Sequence, residues 1–313
     1  MKGAPNPSTS SGQAVKRSTL NVQTRAISLG LIGYPLGHSL SPQIHNAALR
    51  AMGLEGKYNI FPVPPFPEGQ TKLIEVIDQF RMGEIHGLNV TIPHKQTVIP
   101  LLDDLTPTAK AIGAVNTIYS VRSDDLSHLR LIGDNTDASG FWTDVQKQAG
   151  SGEQIANKSA LILGAGGSAR AVAYALLSNN YSITIAARRI EQARKLSDQL
   201  SATSNQIKTT QLNNSPLTTD HCSLIVNTTP IGMRPHIDAS PWPEGTPFPE
   251  NAILYDLVYN PRETALVKQA KAAGLSATTG LGMLVEQAAL AFERWTGLEA
   301  PRDVMLDAVN GKQ

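Results

Sequence analysis

From residue 26 onward, the chain alternates short apolar runs with amphipathic stretches. Runs long enough for buried strands occupy 27–32, 58–61, 87–92, 114–119 and 129–132, and segments with helical periodicity lie between them. A helix is predicted to begin at Pro42 and end near Gly53, because proline suits the first helical position and Ser41 is a good N-cap. This alternation predicts a mostly parallel α/β sheet.

A second unit of the same kind follows a helix predicted for 137–149. Its strands are predicted at 160–163, 183–187, 224–227 and 253–258, and its helices at 170–177, 190–200 and 265–273. This order is typical of a Rossmann sheet. A last helix, 283–295, is expected to pack back on the first unit. We therefore predict two α/β domains with a cleft between them, the first formed by 26–136 plus 280–313 and the second by 137–279.

Composition and charge narrow the class of partner. The 313 residues include 27 Lys and Arg against 26 Asp and Glu. The net charge is therefore close to zero, which gives little electrostatic attraction to nucleic acid or to an acidic membrane surface. No apolar run approaches the ~20 residues that span a bilayer. Cys222 is the only cysteine, which fits a reducing compartment, and the histidines lack metal-ligand spacing. We expect a cytoplasmic protein, monomer or homodimer, that binds small molecules and no metal.

Residues 1–25 have a different composition from the rest of the chain. They are rich in Ser, Thr, Pro and Gly, and the first acidic residue is Glu55. An organelle transit peptide would share these features, but the segment Gly3 to Pro7 would break its amphipathic helix. We therefore interpret 1–25 as a disordered tail.

A glycine-rich turn stands between the first strand and helix of the second unit. It reads Gly164-Ala165-Gly166-Gly167-Ser168-Ala169. In this context Gly164 would permit the tight turn, Gly166 would let a pyrophosphate approach the backbone, and Ala169 would allow close packing of helix on strand. A tight turn without a ligand is the alternative. The order of strand, loop and helix favours a dinucleotide site.

The end of the next strand indicates which dinucleotide binds. NAD sites usually place a carboxylate there for the ribose 2′-hydroxyl, whereas this chain has Arg188 and Arg189. Two guanidinium groups at a helix N-terminus oppose the helix dipole unless an anion neutralises them. The pair could instead be solvated surface residues. We favour NADP, whose 2′-phosphate would supply that anion.

Several short polar motifs accompany these elements in a fixed order. They are SLSP at 39–42, NVTIPHK at 89–95, GAVNT at 113–117, GDNTDASG at 133–140, NTTPIGM at 227–233, VYNP at 258–261 and GMLVEQ at 282–287. In this order they resemble the shikimate dehydrogenase family, from about residue 27 to the C-terminal helix. The resemblance implies reversible NADPH-dependent reduction of 3-dehydroshikimate to shikimate in aromatic amino-acid biosynthesis, by an enzyme whose first domain binds substrate.

The resemblance assigns catalysis to Lys95 and Asp137. Lys95 would exchange the proton at the reacting oxygen, and Asp137 would orient Lys95 and bind a neighbouring hydroxyl. Lys95 follows Pro93 and is predicted in the first turn of a helix, where the dipole would lower the pKa of its ammonium. Without the resemblance, a solvated lysine and a helix N-cap would explain both residues.

The remaining motif positions match family residues around the two ligands. Ser39 and Ser41 match positions that bind the substrate carboxylate, although Ser41 could merely cap its helix. The positions matched to substrate hydroxyls or the substrate pocket are Asn89, Thr91, Asn116, Tyr259 and Gln287, and those matched to the cofactor outside the glycine-rich turn are Arg188, Arg189, Thr228, Val258, Gly280 and Met283. Each polar residue within an apolar strand requires a partner, which local backbone could also supply.

Two alternatives to this function remain open. The first is a quinate/shikimate dehydrogenase with relaxed substrate or NAD use. Members of the family usually hold the NADP phosphate with Asn-Arg-Thr and a later basic residue, whereas this chain has Ala187 and Arg189 around Arg188, and Gln192 at the later position. A non-catalytic sensor of shikimate-like acids is the second. The presence of both Lys95 and Asp137 favours an enzyme over a sensor.

Overall fold

In the computed structural model, two sheets carry the described part of the chain. The structure describes residues 26–122, 129–148, 158–200, 206–213, 217 and 221–311. The tail predicted for 1–25 and the end of the helix predicted for 137–149 lie outside these residues. No helix among the described residues is long and apolar enough to cross a membrane.

The first sheet has six strands in the order β2-β1-β3-β5-β6-β4. Its strands are β1 (Ile27–Gly33), β2 (Gly56–Pro62), β3 (Gly87–Val90), β4 (Asp104–Leu105), β5 (Thr117–Arg122) and β6 (Leu129–Asp134). Strand β5 runs antiparallel to both its neighbours, and the remaining pairings are parallel. The sheet is thus mostly parallel with one reversed strand, which lets β5 and β6 follow each other directly in the chain.

The second sheet is parallel throughout, in the order β12-β11-β10-β7-β8-β9. Its strands are β7 (Ser159–Leu163), β8 (Ser182–Ala187), β9 (Ile207–Gln211), β10 (Leu224–Asn227), β11 (Ile253–Asp256) and β12 (Ser276–Thr279). The strand order reverses between β7 and β10, which makes this the doubly wound Rossmann arrangement predicted from the sequence. The predictions omitted β4, β9 and β12, which are short or weakly apolar.

Helices cover the two sheets. They are α1 (Ser41–Ala51), α2 (Gln70–Arg81), α3 (Pro107–Ile112), α4 (Asp137–Gln148), α5 (Gly167–Ser178), α6 (Ile190–Leu200), α7 (Ala265–Ala272), α8 (Leu281–Thr296) and α9 (Arg302–Asn310), with a 3-10 turn at Ile99–Leu101. Helix α8 packs on the first sheet as expected, since Phe292 and Trp295 join Leu29 and Ile44 in one core cluster. The predictions omitted α9, whose residues Met305 and Val309 complete that cluster.

Three predicted strands include residues that lie outside the strand in the structure. The run 87–92 leaves the sheet after Val90, and the run 253–258 leaves it after Asp256. The run 114–119 enters the sheet only at Thr117. In the first and third cases the excluded residues include Thr91 and Asn116, which line a cavity. Thr91 and Asn116 therefore lie at the ends of their strands that border the cavity.

His45 is fully buried between α1, β2 and α8. His45 of α1 stacks on Tyr58 of β2 with ring centroids 4.4 Å apart, and Trp295 of α8 lies 5.2 Å away on a tilt. Burial lowers the pKa of His45 from 6.5 to about 3, and the Asn89 amide, near the ring but outside good hydrogen-bond geometry, offsets part of this effect. His45 is therefore packed as a neutral aromatic ring.

This burial predicts a dependence of stability on pH. The folded pKa lies below the unfolded value, so folding favours the neutral ring, and that stability is present above pH 6.5 and lost as pH falls toward about 3. The loss attributable to His45 should approach about 1.4 kcal/mol per pH unit below its unfolded pKa. We expect His45→Phe to remove this slope in urea unfolding between about pH 6.5 and pH 5, above the titration range of most carboxylates.

A matched control is His38→Phe, because His38 is exposed. Its substitution should leave the wild-type slope of unfolding free energy against pH unchanged. If His45→Phe also keeps the wild-type slope, then His45 does not titrate differently in the folded and unfolded chain.

Candidate active site

A cavity of about 830 Å³ opens between the two sheets. Its walls come from segments that follow the carboxyl ends of strands: residues 34–41 after β1, 91–95 after β3, 230–240 after β10 and 257–260 after β11. The N-terminal half of α8 closes one side. Open α/β sheets bind ligands outside the carboxyl ends of their strands, so this cavity is the expected place for an active site.

A buried ion pair lies in the cavity wall. The Nζ atom of Lys95 donates to Oδ2 of Asp137 at 2.5 Å, and both residues are less than a tenth exposed. The other carboxylate oxygen of Asp137 accepts from Nδ2 of Asn116 at 2.8 Å. Both oxygens are therefore satisfied, while the Lys95 ammonium keeps further protons beyond the one shared with Asp137. The arrangement presents a held ammonium group to whatever occupies the cavity.

Local structure around Lys95 differs from the sequence prediction. Residues 92–98 form a series of turns, and Lys95 is not in the first turn of an α-helix. The prediction that Lys95 lies in the first turn of a helix was therefore wrong. Its backbone is fixed instead by tertiary contact, since the Lys95 carbonyl accepts from the Val115 N–H at 2.7 Å.

Asp137 is the first residue of α4, but it does not cap the helix. Oδ1 of Asn135 accepts from the backbone N–H groups of Asp137 and Ala138, at 3.1 and 3.3 Å. Because Asn135 performs this capping role, the carboxylate of Asp137 is free to bind Lys95. The explanation of Asp137 as a mere N-cap is therefore wrong. Sequence reasoning also missed Asn135, although it precedes the helix by two residues.

Two of the amide side chains that were predicted to need a partner, those of Asn116 and Gln287, have partners inside the protein. Asn116 donates to Thr136, Asp137 and Gln287, and its own oxygen accepts from the Thr136 N–H at 2.8 Å. Nε2 of Gln287 donates to the Leu284 carbonyl at 2.8 Å. These contacts meet the requirement for buried polar groups without a ligand, yet each of these amides still borders the cavity.

Asn89 is held by a residue that the sequence did not single out. The hydroxyl of Tyr58 donates to Oδ1 of Asn89 at 2.8 Å, and Nδ2 of Asn89 donates to Thr117 and to the Asn116 carbonyl, both at 3.2 Å. Burial raises the pKa of Tyr58 well above its usual value, so its hydroxyl remains a donor. No motif signals Tyr58, because its role depends on a contact between β2 and β3 across β1.

Ser39 and Ser41 lie at the start of α1, and the structure shows which of them contacts the helix backbone. Oγ of Ser39 accepts from the Ser41 N–H at 3.3 Å, at the start of α1. Ser41 is itself the first residue of the helix and is not its N-cap. The explanation of Ser41 as the cap is therefore wrong. Both residues line the cavity beside the positive end of α1, where an anion would be stabilised.

The glycine-rich turn has the backbone that the motif predicts. Gly164 adopts φ +109°, which favours glycine, and Ala169 is fully buried. A side chain at Gly166 would enter open space, as expected where a ligand approaches the backbone. Thr228 holds the turn from the neighbouring strand end, since its hydroxyl donates to the Leu163 carbonyl at 2.7 Å. The turn packs against the ion pair, with a Cβ built at Gly167 lying 3.3 Å from Cδ of Lys95.

Arg188 and Arg189 follow the end of β8, directly before α6. Both are exposed, and neither side chain makes a hydrogen bond or ion pair with the described residues. Two uncompensated guanidinium groups at the N-terminus of a helix form a site suited to a phosphate.

The cavity brings together most of the predicted site residues. Those that line it are Ser39, Ser41, Asn89, Thr91, Lys95, Asn116, Asp137, Ser168, Tyr259, Gly280, Met283 and Gln287. Those that do not are Gly164, Ala165, Gly166, Gly167, Ala169, Arg188, Arg189, Thr228 and Val258. Apart from Val258, the residues that do not line the cavity belong to the glycine-rich turn, contact it, or follow the end of β8.

Val258 has a structural role in the contacts described. Its N–H donates to Oδ1 of Asp256 at 3.0 Å, and Asp256 also accepts from Asn227 and Thr264. Burial raises the pKa of Asp256 to about 6, although these hydrogen bonds offset part of the effect. This carboxyl group ties the ends of β10 and β11 to the start of α7, which positions the two loops of the cavity wall.

No group of three or more His, Cys, Asp or Glu residues in the described ranges could hold a metal ion. Cys222 is buried, and burial raises the pKa of its thiol.

Three family models match successive parts of the chain. The substrate-binding domain of shikimate dehydrogenase matches residues 31–118, shikimate/quinate 5-dehydrogenase matches 145–232, and the C-terminal domain of shikimate 5′-dehydrogenase matches 280–309.

Individual relatives agree with this assignment over most of their length. The NADP(+) shikimate dehydrogenase of Carboxydothermus hydrogenoformans is 40% identical over 280 residues, which cover 90% of this chain and 95% of the relative. A crystal structure of a shikimate dehydrogenase with NADP+ aligns with a TM-score of 0.80 and 39% identity, covering 90% of this chain and 94% of the other. The Thermus thermophilus enzyme with NADP(H) and shikimate has a TM-score of 0.75, 36% identity, and coverage of 90% and 98%. This chain belongs to the shikimate dehydrogenase family.

Proposed function

We propose that this protein is an NADP-dependent shikimate dehydrogenase that interconverts 3-dehydroshikimate and shikimate. The observation that carries the proposal is the buried pair of Lys95 and Asp137, 2.5 Å apart in the wall of a cavity between two α/β sheets. A sensor would need the cavity but not an ammonium group held against a carboxylate. The division into a substrate domain of 26–136 plus 280–313 and a nucleotide domain of 137–279 belongs to the same proposal.

The first-sheet side of the cavity would bind substrate. Ser39 and Ser41 would donate to its carboxylate at the positive end of α1. Its hydroxyls would meet Asn89, Thr91, Asn116 and Gln287, with Tyr259 on the facing wall. Asn89, Asn116 and Gln287 are already oriented by hydrogen bonds within the protein, so binding would fix few additional side chains.

The second-sheet side fits NADP. The open approach to Gly166 and the N-terminus of α5 suit a pyrophosphate, and the uncompensated Arg188 and Arg189 suit a 2′-phosphate. Gly280 and Met283 line the cavity and Thr228 contacts the strand before the turn, and all three would border the nicotinamide end. When bound, the cofactor supplies the hydride.

Lys95 would control the proton. In the direction of reduction, its ammonium donates a hydrogen bond to the substrate carbonyl oxygen and transfers a proton as the C–O⁻ group develops. In the oxidation direction the neutral amine accepts that proton from the substrate hydroxyl. Asp137 keeps Lys95 pointed at this oxygen, and Asn116 keeps Asp137 in place.

Replacement of Lys95 tests the catalytic assignment. In Lys95→Ala, kcat for shikimate oxidation should fall by about a thousandfold, because general acid-base catalysis is lost. The dissociation constant for NADPH, measured by fluorescence titration, should stay within about twofold, since the turn keeps its backbone conformation at Gly164 and its contact with Thr228. Lys110→Ala, at an exposed lysine of α3, is the matched control and should retain wild-type kinetics. Substantial turnover by Lys95→Ala would refute the role.

Replacement of Arg188 tests the cofactor. In Arg188→Gln, the KM for NADP should rise by about tenfold or more, because a charge-assisted contact with the 2′-phosphate is lost. The KM for NAD should not rise, since NAD lacks that phosphate. The rise in the KM for NADP in Arg189→Gln, compared with that in Arg188→Gln, would show how much each guanidinium group contributes. Arg194→Gln, at an exposed arginine of α6, is the control.

The same assay, with shikimate and quinate each measured with NADP and NAD, also tests the alternative function. Comparable kcat/KM for quinate would indicate a quinate/shikimate dehydrogenase. An unchanged KM for NADP in Arg188→Gln would contradict the assigned 2′-phosphate contact.

A further inference from the structure

One positive charge in the cavity wall has no partner. Among the described residues that line the cavity, Lys95, Asp137 and Arg234 carry a permanent charge at neutral pH. Lys95 and Asp137 form an ion pair and neutralise each other. Arg234 makes no hydrogen bond or ion pair with any residue in the described ranges. The permanent charges of this wall therefore sum to one positive charge, and it resides on Arg234.

Arg234 projects from a loop whose base is fixed. The loop follows β10, and Asn227 at the end of that strand is fully buried. Asn227 donates to Asp256 at 2.8 Å and accepts from the Thr229 N–H at 2.9 Å. The Met233 N–H then donates to the Pro230 carbonyl at 3.2 Å, directly before Arg234. The guanidinium group thus stands on a long side chain whose backbone attachment is defined by hydrogen bonds.

The opposite wall supplies neutral donors for an anion. Ser39 and Ser41 lie on the first-sheet side of the cavity, and Arg234 lies on the second-sheet side. Hydroxyl and backbone N–H groups can bind a carboxylate, but they carry no charge to offset the loss of its hydration. Lys95 cannot offset it either, because its charge is committed to Asp137.

We propose that Arg234 recognises the carboxylate of the substrate from the side opposite the serines and is a determinant of specificity for acidic substrates. This inference rests on the proposed function, which gives the substrate one carboxylate and no other charge. A guanidinium group binds a carboxylate through charge-assisted hydrogen bonds, and one at a cavity wall also raises the local concentration of anions. The ligand class is a carboxylate carried on a small polyhydroxylated ring.

The test compares an anionic substrate with its neutral analogue. Shikimate and methyl shikimate are oxidised with saturating NADP by the wild type and by Arg234→Gln. We expect the KM for shikimate to rise about tenfold in the variant with kcat within about twofold, and the kcat/KM for methyl shikimate to change less than about twofold. The decline of kcat/KM for shikimate with rising ionic strength should also become shallower.

Two further variants make the result specific. Arg234→Lys keeps the positive charge and should recover part of the discrimination between shikimate and methyl shikimate. Arg50→Gln removes an exposed arginine of α1 outside the cavity and should leave both substrates and the salt dependence unchanged. Because these readouts are ratios between substrates, a general loss of folded protein would not reproduce them.

Each adverse outcome has a distinct meaning. If the wild type does not oxidise shikimate, the proposed function and the assignment of Arg234 both fall. If the wild type is active, an unchanged KM for shikimate in Arg234→Gln overturns the assignment alone. Equal losses for shikimate and methyl shikimate would also overturn it, as would a rise confined to the KM for NADP, which would place Arg234 against the cofactor.

Discussion

The candidate active site depends on the burial of the ion pair of Lys95 and Asp137. Removing two charges from water is costly, and their attraction offsets that cost only where the remaining hydrogen-bonding groups are satisfied. Asn116 satisfies the second oxygen of Asp137, and Asn135 takes over the capping of α4 that Asp137 would otherwise perform. The backbone at Lys95 is fixed by Val115. Much of the polar structure around the cavity can be understood as the support that this pair requires.

The same support orients the groups proposed to bind substrate. Asn116 contacts Asp137 and Gln287 at once, so it links the ion pair on α4 to the middle of α8. Asn89 joins this network through Thr117 and the Asn116 carbonyl. A fully connected buried network has few alternative arrangements, because breaking any contact leaves an unpaired polar group in a low-dielectric setting. The groups proposed for catalysis and for substrate binding are therefore preorganised by one set of contacts.

Features that depend on local sequence pattern could be predicted from the sequence, whereas features that depend on tertiary contacts could not. Apolar runs and the glycine-rich turn identified the Rossmann unit, because a buried parallel strand and a turn at Gly164 each leave a local signature. The short, weakly apolar β9 and β12 leave little signature and were missed. The helix predicted at Lys95 was wrong because Pro93 signals a helix start only statistically. Tyr58 could not be found at all, since its hydroxyl reaches Asn89 from another strand.

Helix α8 shows why the C-terminal segment must return to the first sheet. Met283 packs with the core of the second sheet, whereas Phe292 and Trp295 pack with the first, so one rigid helix spans both. Its start lies close to Asp144 of α4, which accepts from the Tyr255 hydroxyl at 2.5 Å and would collide with any side chain at Gly282. Met283 and Gln287 are four residues apart and therefore share a helix face, which borders the cavity. A residue on the proposed nicotinamide side and one on the proposed substrate side are thus held at a fixed separation by a single helix.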